Sequence, residues 1–218
     1  MAEKIITKEQ EQFLEYFKKN KLLAQDFYLT GGTALALFYY QHRKSEDLDF
    51  FTSKKIPNSI IDKSIKDVKI KLNASKVEYN QLYDRRIYQF KLTKKGILKI
   101  EFTLYPFKNL KKLKKINGVF VDSLLDMGAN KIMSIMDRFE PKDFFDLYFM
   151  KNDFRLENLR TAAQKKFGIE IDPIALVSRF NKVKDLRIIP QMIKKVDIID
   201  LKNYFQKFNK KEAKMFLV

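Results

Sequence analysis

The sequence predicts an α/β protein of the α+β kind, in which a mixed sheet and its helices are followed by a C-terminal helical region. Three observations carry this. Short apolar or alternating runs at 27–29, 47–52, 76–81, 86–93 and 97–105 have strand character. Helical periodicity is interleaved with them. From Val121 onward only the helical pattern continues. The change of pattern near residue 120 sets the expected organisation, with residues 1–119 as an α/β core and 120–218 as a helical region.

In chain order, Thr7-Lys8-Glu9-Gln10 fits a capping box, and Phe13, Leu14 and Phe17 follow at helical spacing to about Asn20. Phe27 to Leu29 reads as a short buried strand, Thr33 to about Gln41 as a helix with one apolar face, and Asp47 to Thr52 as a second strand. Pro57 suits the first turn of a helix running to about Leu72. Three strands follow, Lys76 to Gln81, Arg86 to Thr93 and Ile97 to Tyr105, with Lys94-Lys95-Gly96 as a hairpin turn. Asp122 or Ser123 caps a helix through Asp137, and Pro141 opens another that ends near Met150. Further helices are expected over about 156–167, 173–181 and 199–214. No internal repeat or low-complexity tract interrupts them.

Composition narrows the chemistry. At 45% hydrophobic residues, a chain of 218 can bury an ordinary core. It has no Cys, which excludes disulfides and thiolate metal sites and fits a reducing compartment; its one His, His42, excludes a His-rich zinc site. Any metal must therefore be held by carboxylates, which favours Mg2+ or Mn2+. The start, MAEKIITKEQEQF, lacks the apolar core of a signal peptide, and no run approaches the roughly 20 apolar residues of a membrane span. A soluble, cytoplasmic protein is expected. The net charge of +17, from 44 basic and 27 acidic residues, favours a polyanionic partner, most simply nucleic acid. A Lys-, Ile-, Asn- and Phe-rich composition is also what an AT-rich genome produces.

The chemistry concentrates in FYLTGGTALALFYYQHRKSEDLDFF, residues 27–51. Residues i and i+2 of a strand share a face, so Asp47 and Asp49 project side by side while Leu48 turns to the core. Two carboxylates that close repel unless a cation lies between them. Gly31, Gly32 and Thr33 offer backbone N–H groups and a hydroxyl where a helix begins, a ready anion site. Singly, a Gly-Gly is a turn and an Asp-x-Asp a solvated strand end; their joint order and spacing point to phosphate and metal together. Glu101, on the polar side of an otherwise apolar strand, is the candidate third carboxylate; the alternative is that it pairs with a lysine on a solvent-facing sheet. In NKIMSIMDRFEPKDFFDLYFM, Lys131 and Arg138 share a helix face, as do Lys142 and Asp146 on the next helix, with Asp143 beside them. These groups either grip triphosphate oxygens or form helix-surface ion pairs. The Lys-rich stretch 108–115 follows the Glu101 strand, so Lys111, Lys112, Lys114 and Lys115 form a candidate rim for an RNA backbone.

The set GGTAL, HRKSEDLDF, KIEF and NKIMSIMDRFEPKDFFDLY resembles the AbiEii/AbiGii-type nucleotidyltransferase toxins, within the DNA polymerase β-like superfamily, over roughly residues 26–150. The resemblance implies a polymerase β-like α/β core followed by helices, with NTP as substrate and magnesium as cofactor. By position it makes Gly31, Gly32 and Thr33 the glycine motif and Asp47 and Asp49 the metal pair. Lys131, Arg138, Lys142, Asp143 and Asp146 match the later motif. Relatives are associated with nucleotide transfer to tRNA and with a cognate antitoxin. The third acid is often Asp in such proteins and is Glu101 here.

The expected activity is therefore metal-dependent transfer of a nucleotide from an NTP to RNA, with tRNA the expected acceptor, by a toxin of a toxin–antitoxin or phage-defence system. Two alternatives are a small-molecule (antibiotic) nucleotidyltransferase, disfavoured because cationic drugs call for acidic pockets, and a catalytically silent RNA-binding module, disfavoured by the intact Asp47 and Asp49.

Overall fold

The computed structural model describes residues 4–93 and 96–215, so Lys94 and Lys95 of the expected hairpin turn lie outside the described residues. Among the described residues a seven-stranded mixed sheet forms the frame, in the order β3-β4-β5-β2-β1-β7-β6. Its centre is β2 (Asp47–Thr52), which pairs antiparallel with β1 (Tyr28–Thr30) on one side and parallel with β5 (Gly96–Leu104) on the other. Beyond β5 lies an antiparallel meander of β4 (Arg85–Leu92) and β3 (Ala74–Leu82). Beyond β1 lie β7 (Val119–Val121), parallel to it, and β6 (Lys114–Ile116) at the edge.

The last two strands depart from the sequence expectation. Residues 114–116 fall within the Lys-rich stretch, where side-chain alternation carries no apolar signal, and three-residue strands are too short to show a period. The sheet thus extends through Val121.

One face of the sheet carries α1 (Lys8–Lys19) and α4 (Asn58–Lys71), with the short α2 (Lys21–Asp26) between α1 and β1 in the chain. The capping box forms as the sequence suggests, with Thr7 Oγ1 accepting from the Gln10 N–H and the Gln10 side chain accepting from the Thr7 N–H. Leu48 and Phe50 of β2 point into this layer, where the Phe50 ring stacks on Phe17 at 4.3 Å and lies 5.5 Å from Phe102. Each such fully buried ring contributes about 2 kcal/mol of transfer free energy. This packing fixes the pleat of β2, so Asp47, Asp49 and Phe51 must face the other way.

On the other side the chain continues as α3 (Gly31–Leu35), widens into a π-helical turn over Ala36–Tyr40, and reverses at Gln41 with φ 51°. The helical region comprises α5 (Leu124–Asp137), α6 (Pro141–Phe149), α7 (Leu156–Phe167), α8 (Pro173–Asn181) and α9 (Ile198–Met215). Ser123, one of the two expected caps, accepts from the Asp126 N–H at the start of α5. Helices α5 and α7 approach closely at Gly128, where a Cβ would come within 2.6 Å of Leu159. No helix among the described residues is long and apolar enough to cross a membrane.

Candidate active site

The unburied face of β2 forms the floor of an open cleft of about 990 Å3 between the sheet and the helical region. Register places Asp49 opposite Glu101 and Asp47 opposite Lys99 on the parallel neighbour β5. Gly31 begins α3 at φ +73°, and a Cβ there would stand 2.5 Å from Asp49 Oδ2. At Gly32 a Cβ would collide with the Arg43 guanidinium. Only glycine lets the backbone approach this closely at both positions. Thr30 supplies no side-chain cap to the N–H groups that open α3.

The electrostatics are unbalanced at Asp49. Burial, together with the Glu101 and Asp47 carboxylates, pushes its carboxyl up to about 6. Asp47 is better compensated, with Lys99 Nζ 3.2 Å and Lys142 Nζ 4.0 Å from its Oδ2. Glu101 is held differently. Arg85 donates to both its oxygens, at 2.7 and 2.8 Å, and Thr103 donates to Oε1 at 2.8 Å. Burial would raise the Glu101 carboxyl, but these hydrogen bonds and the Arg85 charge outweigh it and hold the group below its ordinary value.

Asp47 and Asp49 fit a hard divalent cation: two oxygen donors on one strand face, one of them destabilised by its acidic neighbours. Among the described residues no three acidic or imidazole groups form a ready-made metal cage. Arg85 occupies both oxygens of Glu101, the candidate third carboxylate.

The later motif divides into groups that reach the cleft and groups that lie beneath it. Lys131, Arg138 and Lys142 line the cleft. Arg138 is the C-cap of α5 and stands 3.6 Å from Asp143 Oδ2. Lys131 is buried, its ammonium 2.6 Å from both Asp143 Oδ1 and Asp146 Oδ2. Asp146, expected at the nucleotide, is instead wholly buried. It accepts from Arg43 Nε at 2.7 Å and Arg43 Nη2 at 2.9 Å, and meets His42 Nε2 at 2.8 Å. Burial would raise its carboxyl; the Lys131 and Arg43 charges outweigh that and hold it well below the usual range. Thr33, also expected at the nucleotide, is buried with its hydroxyl donating to the Asp47 carbonyl and 2.7 Å from Ser45 Oγ. Both residues position β2 and Arg43 and do not line the cleft. None of the four candidate rim lysines lines the cleft: Lys111 and Lys112 lie exposed in the segment before β6, and Lys114 and Lys115 lie on β6 at the sheet edge, with Lys114 Nζ 5.8 Å from the Tyr39 ring.

Residues 12–209 match the family model described as nucleotidyl transferase AbiEii toxin, Type IV TA system. The chain belongs to the AbiEii nucleotidyltransferase toxin family. It is 35% identical over 170 residues to an uncharacterized protein of Aquifex aeolicus (strain VF5), covering 74% of this chain and 76% of that one. Its fold is similar to that of MenT4, the nucleotidyltransferase toxin Rv2826c of Mycobacterium tuberculosis H37Rv, with a TM-score of 0.61 at 14% identity over 94% of this chain and 82% of the other. It is likewise similar to JHP933 of Helicobacter pylori, with a TM-score of 0.59 at 24% identity over 94% and 92% of the two chains. This AbiEii-family protein is thus an NTP-dependent nucleotidyltransferase toxin, and membership of a Type IV toxin–antitoxin family implies an antitoxin partner.

Three cleft residues of this AbiEii-family protein escaped the sequence reading. Lys99 lies two residues before Glu101, so strand periodicity alone places it on the same face. Arg43 was visible within HRKSEDLDF, but its contact with Gly32 requires the chain reversal at Gln41. Arg85 begins β4 opposite Thr103, one strand step from Glu101, a pairing that depends on the hairpin register.

Proposed function

We propose that the protein transfers a nucleotide from an NTP to a hydroxyl of RNA, with tRNA as the acceptor, and that Mg2+ or Mn2+ bound at Asp47 and Asp49 is required. The observation that carries this reading is the pair Asp47 and Asp49, side by side on the cleft floor beneath Gly31 and Gly32. The reaction forms a bond from the acceptor oxygen to the α-phosphorus and breaks the α–β bridge, releasing pyrophosphate; the acceptor proton leaves to a base or to water. When bound, the metal polarises the phosphoryl oxygens and neutralises the leaving group. Glu101 would join it once Arg85 turns to an incoming phosphate, a guanidinium's other natural bidentate partner. The Gly31 and Gly32 N–H groups, Arg138 and Lys142 lie where triphosphate oxygens would be held. Lys131, pinned by two buried carboxylates, supplies fixed positive charge at the cleft wall. The +17 net charge and the lysines at 111, 112, 114 and 115 suit an RNA backbone.

The test is incorporation of labelled nucleotide from each of the four NTPs into bulk tRNA by purified protein, with Mg2+ or Mn2+ and with EDTA. Metal-dependent labelling of tRNA that is absent in Asp47→Asn supports the reading. Metal-dependent turnover without labelled RNA would shift it to a small-molecule acceptor.

A further inference from the structure

Beside the carboxylates the cleft wall changes from charged to aromatic. Phe51 continues the face of Asp47 and Asp49, one alternation beyond Asp49 and so roughly 7 Å along the strand. Its ring lies 4.4 Å from Tyr105, which lies 5.1 Å from Phe107, which lies 4.7 Å from Phe167 at the end of α7. All four rings line the cleft and remain partly exposed, whereas Phe13, Phe17 and Phe50 on the other side of the sheet are fully buried. The array is braced. Tyr105 donates its hydroxyl to Asn130 Oδ1 of α5 at 3.0 Å and its backbone N–H to the Thr52 carbonyl at 2.6 Å. Phe107 meets both Tyr105 and Phe167 edge-on.

Partly solvated rings forgo burial free energy that a flat apolar partner would recover. A wall that is already rigid loses little further entropy when that partner arrives. We propose that Tyr105, Phe107 and Phe167, continued by Phe51, form a nucleobase-stacking wall, so that a base lies against these rings while its phosphates lie at Asp47 and Asp49. The inference rests on the placement of phosphates proposed above. The base belongs either to the NTP or to the terminal nucleotide of the acceptor, since both must meet at the same carboxylates.

The double variant Phe107→Leu/Phe167→Leu removes the ring faces and keeps apolar bulk, and Phe107→Tyr/Phe167→Tyr restores the faces. Equilibrium binding with Mn2+ is measured for ATP, CTP, GTP, UTP and inorganic tripolyphosphate. A second series uses an RNA hairpin whose 3′-terminal nucleotide is either intact or abasic. If the wall holds the NTP base, the Leu variant binds at least one NTP about tenfold more weakly. Tripolyphosphate binding should be unchanged, and the Tyr variant should regain the loss. If it holds the acceptor base, NTP binding is unchanged, and the wild type's preference for intact over abasic RNA disappears in the Leu variant. No change in either series, or an equal loss for NTP and tripolyphosphate, overturns the wall. The single variant Phe107→Leu, in the segment after β5, serves if the double variant does not fold. Asp47→Asn separates the two readings: if it leaves tripolyphosphate binding intact, the phosphate placement fails, whatever the rings do.

Discussion

Arg85 grips Glu101 through both carboxylate oxygens, although Glu101 stands opposite Asp49 on the adjacent parallel strand. The Glu101 carboxylate is thus neutralised by a side chain, while among the described residues Asp49 has no comparable partner.

If that grip limits metal binding, Arg85→Met should strengthen it. Isothermal titration with Mn2+ should show a several-fold lower Kd than wild type, because Glu101 is freed to ligate. The same variant should lose about 1–3 kcal/mol of stability in denaturant melts, the usual cost of leaving a buried charged acceptor unsatisfied. Unchanged or weaker Mn2+ binding would show that Glu101 takes no part in the metal site.

Asp49 makes a pH-dependent prediction for the metal-free protein. Its folded pKa, raised to about 6, lies above the unfolded value, so folding is unpenalised at low pH. The penalty grows as pH rises from about 4, where the unfolded chain ionises, and levels off above about 6. In EDTA, Asp49→Asn should therefore match wild type near pH 4 and exceed it at pH 7 by on the order of 2 kcal/mol. It should also lose nucleotide transfer. Stability differences that do not vary with pH would contradict the assignment of charge at this site.

Arg138 and Lys131 should separate binding from folding. Arg138 has a half-exposed side chain and a 3.6 Å contact to Asp143, so Arg138→Ala should leave the melting temperature nearly unchanged while raising the NTP concentration needed for half-maximal rate. Lys131→Met takes the ammonium from the buried Asp143, leaving it the 3.6 Å Arg138 contact, and removes one of the cations around Asp146, and should cost about 3–5 kcal/mol. Thermal melts and steady-state kinetics on both variants distinguish the two roles. A folded, stable Lys131→Met protein would remove the structural one.

The lysines at 111, 112, 114 and 115 bear on the acceptor. Changing all four to Ser should reduce tRNA labelling and flatten the dependence of RNA affinity on log salt, by up to about 0.7–0.9 for each phosphate no longer neutralised. Tripolyphosphate binding should persist. Unaltered RNA affinity across the salt range would place the acceptor elsewhere on the surface.

Much of this was legible from residue order. Strong local signals, such as the Thr7 capping box, the Asp47–Thr52 strand and Pro173 opening α8, correspond to observed elements because each is decided within a few residues. The side-by-side placement of Asp47 and Asp49 follows from strand alternation alone. What could not be read depends on distant pairing. Thr33 and Asp146 are polar residues in a motif, and nothing local says that their partners, Ser45 and Arg43, will bury them. The occupancy of Glu101 by Arg85 likewise rests on the β4–β5 register.

The segment His42–Lys44 ties the glycine turn of the cleft to residues 191–194. The His42 and Arg43 side chains are held by Asp146, and the backbone of the segment is stitched to the far end of the chain. The His42 carbonyl accepts from the N–H groups of Ile193 and Lys194, Arg43 bridges to Met192, and the Lys44 N–H donates to the Gln191 carbonyl. Arg43 in turn backs Gly32. A chain cut before Gln191 would keep both aspartates and the glycine turn but lose these backbone partners. The seating of the glycine turn therefore belongs to the tertiary fold as a whole and not to the motif-bearing residues 26–150 alone.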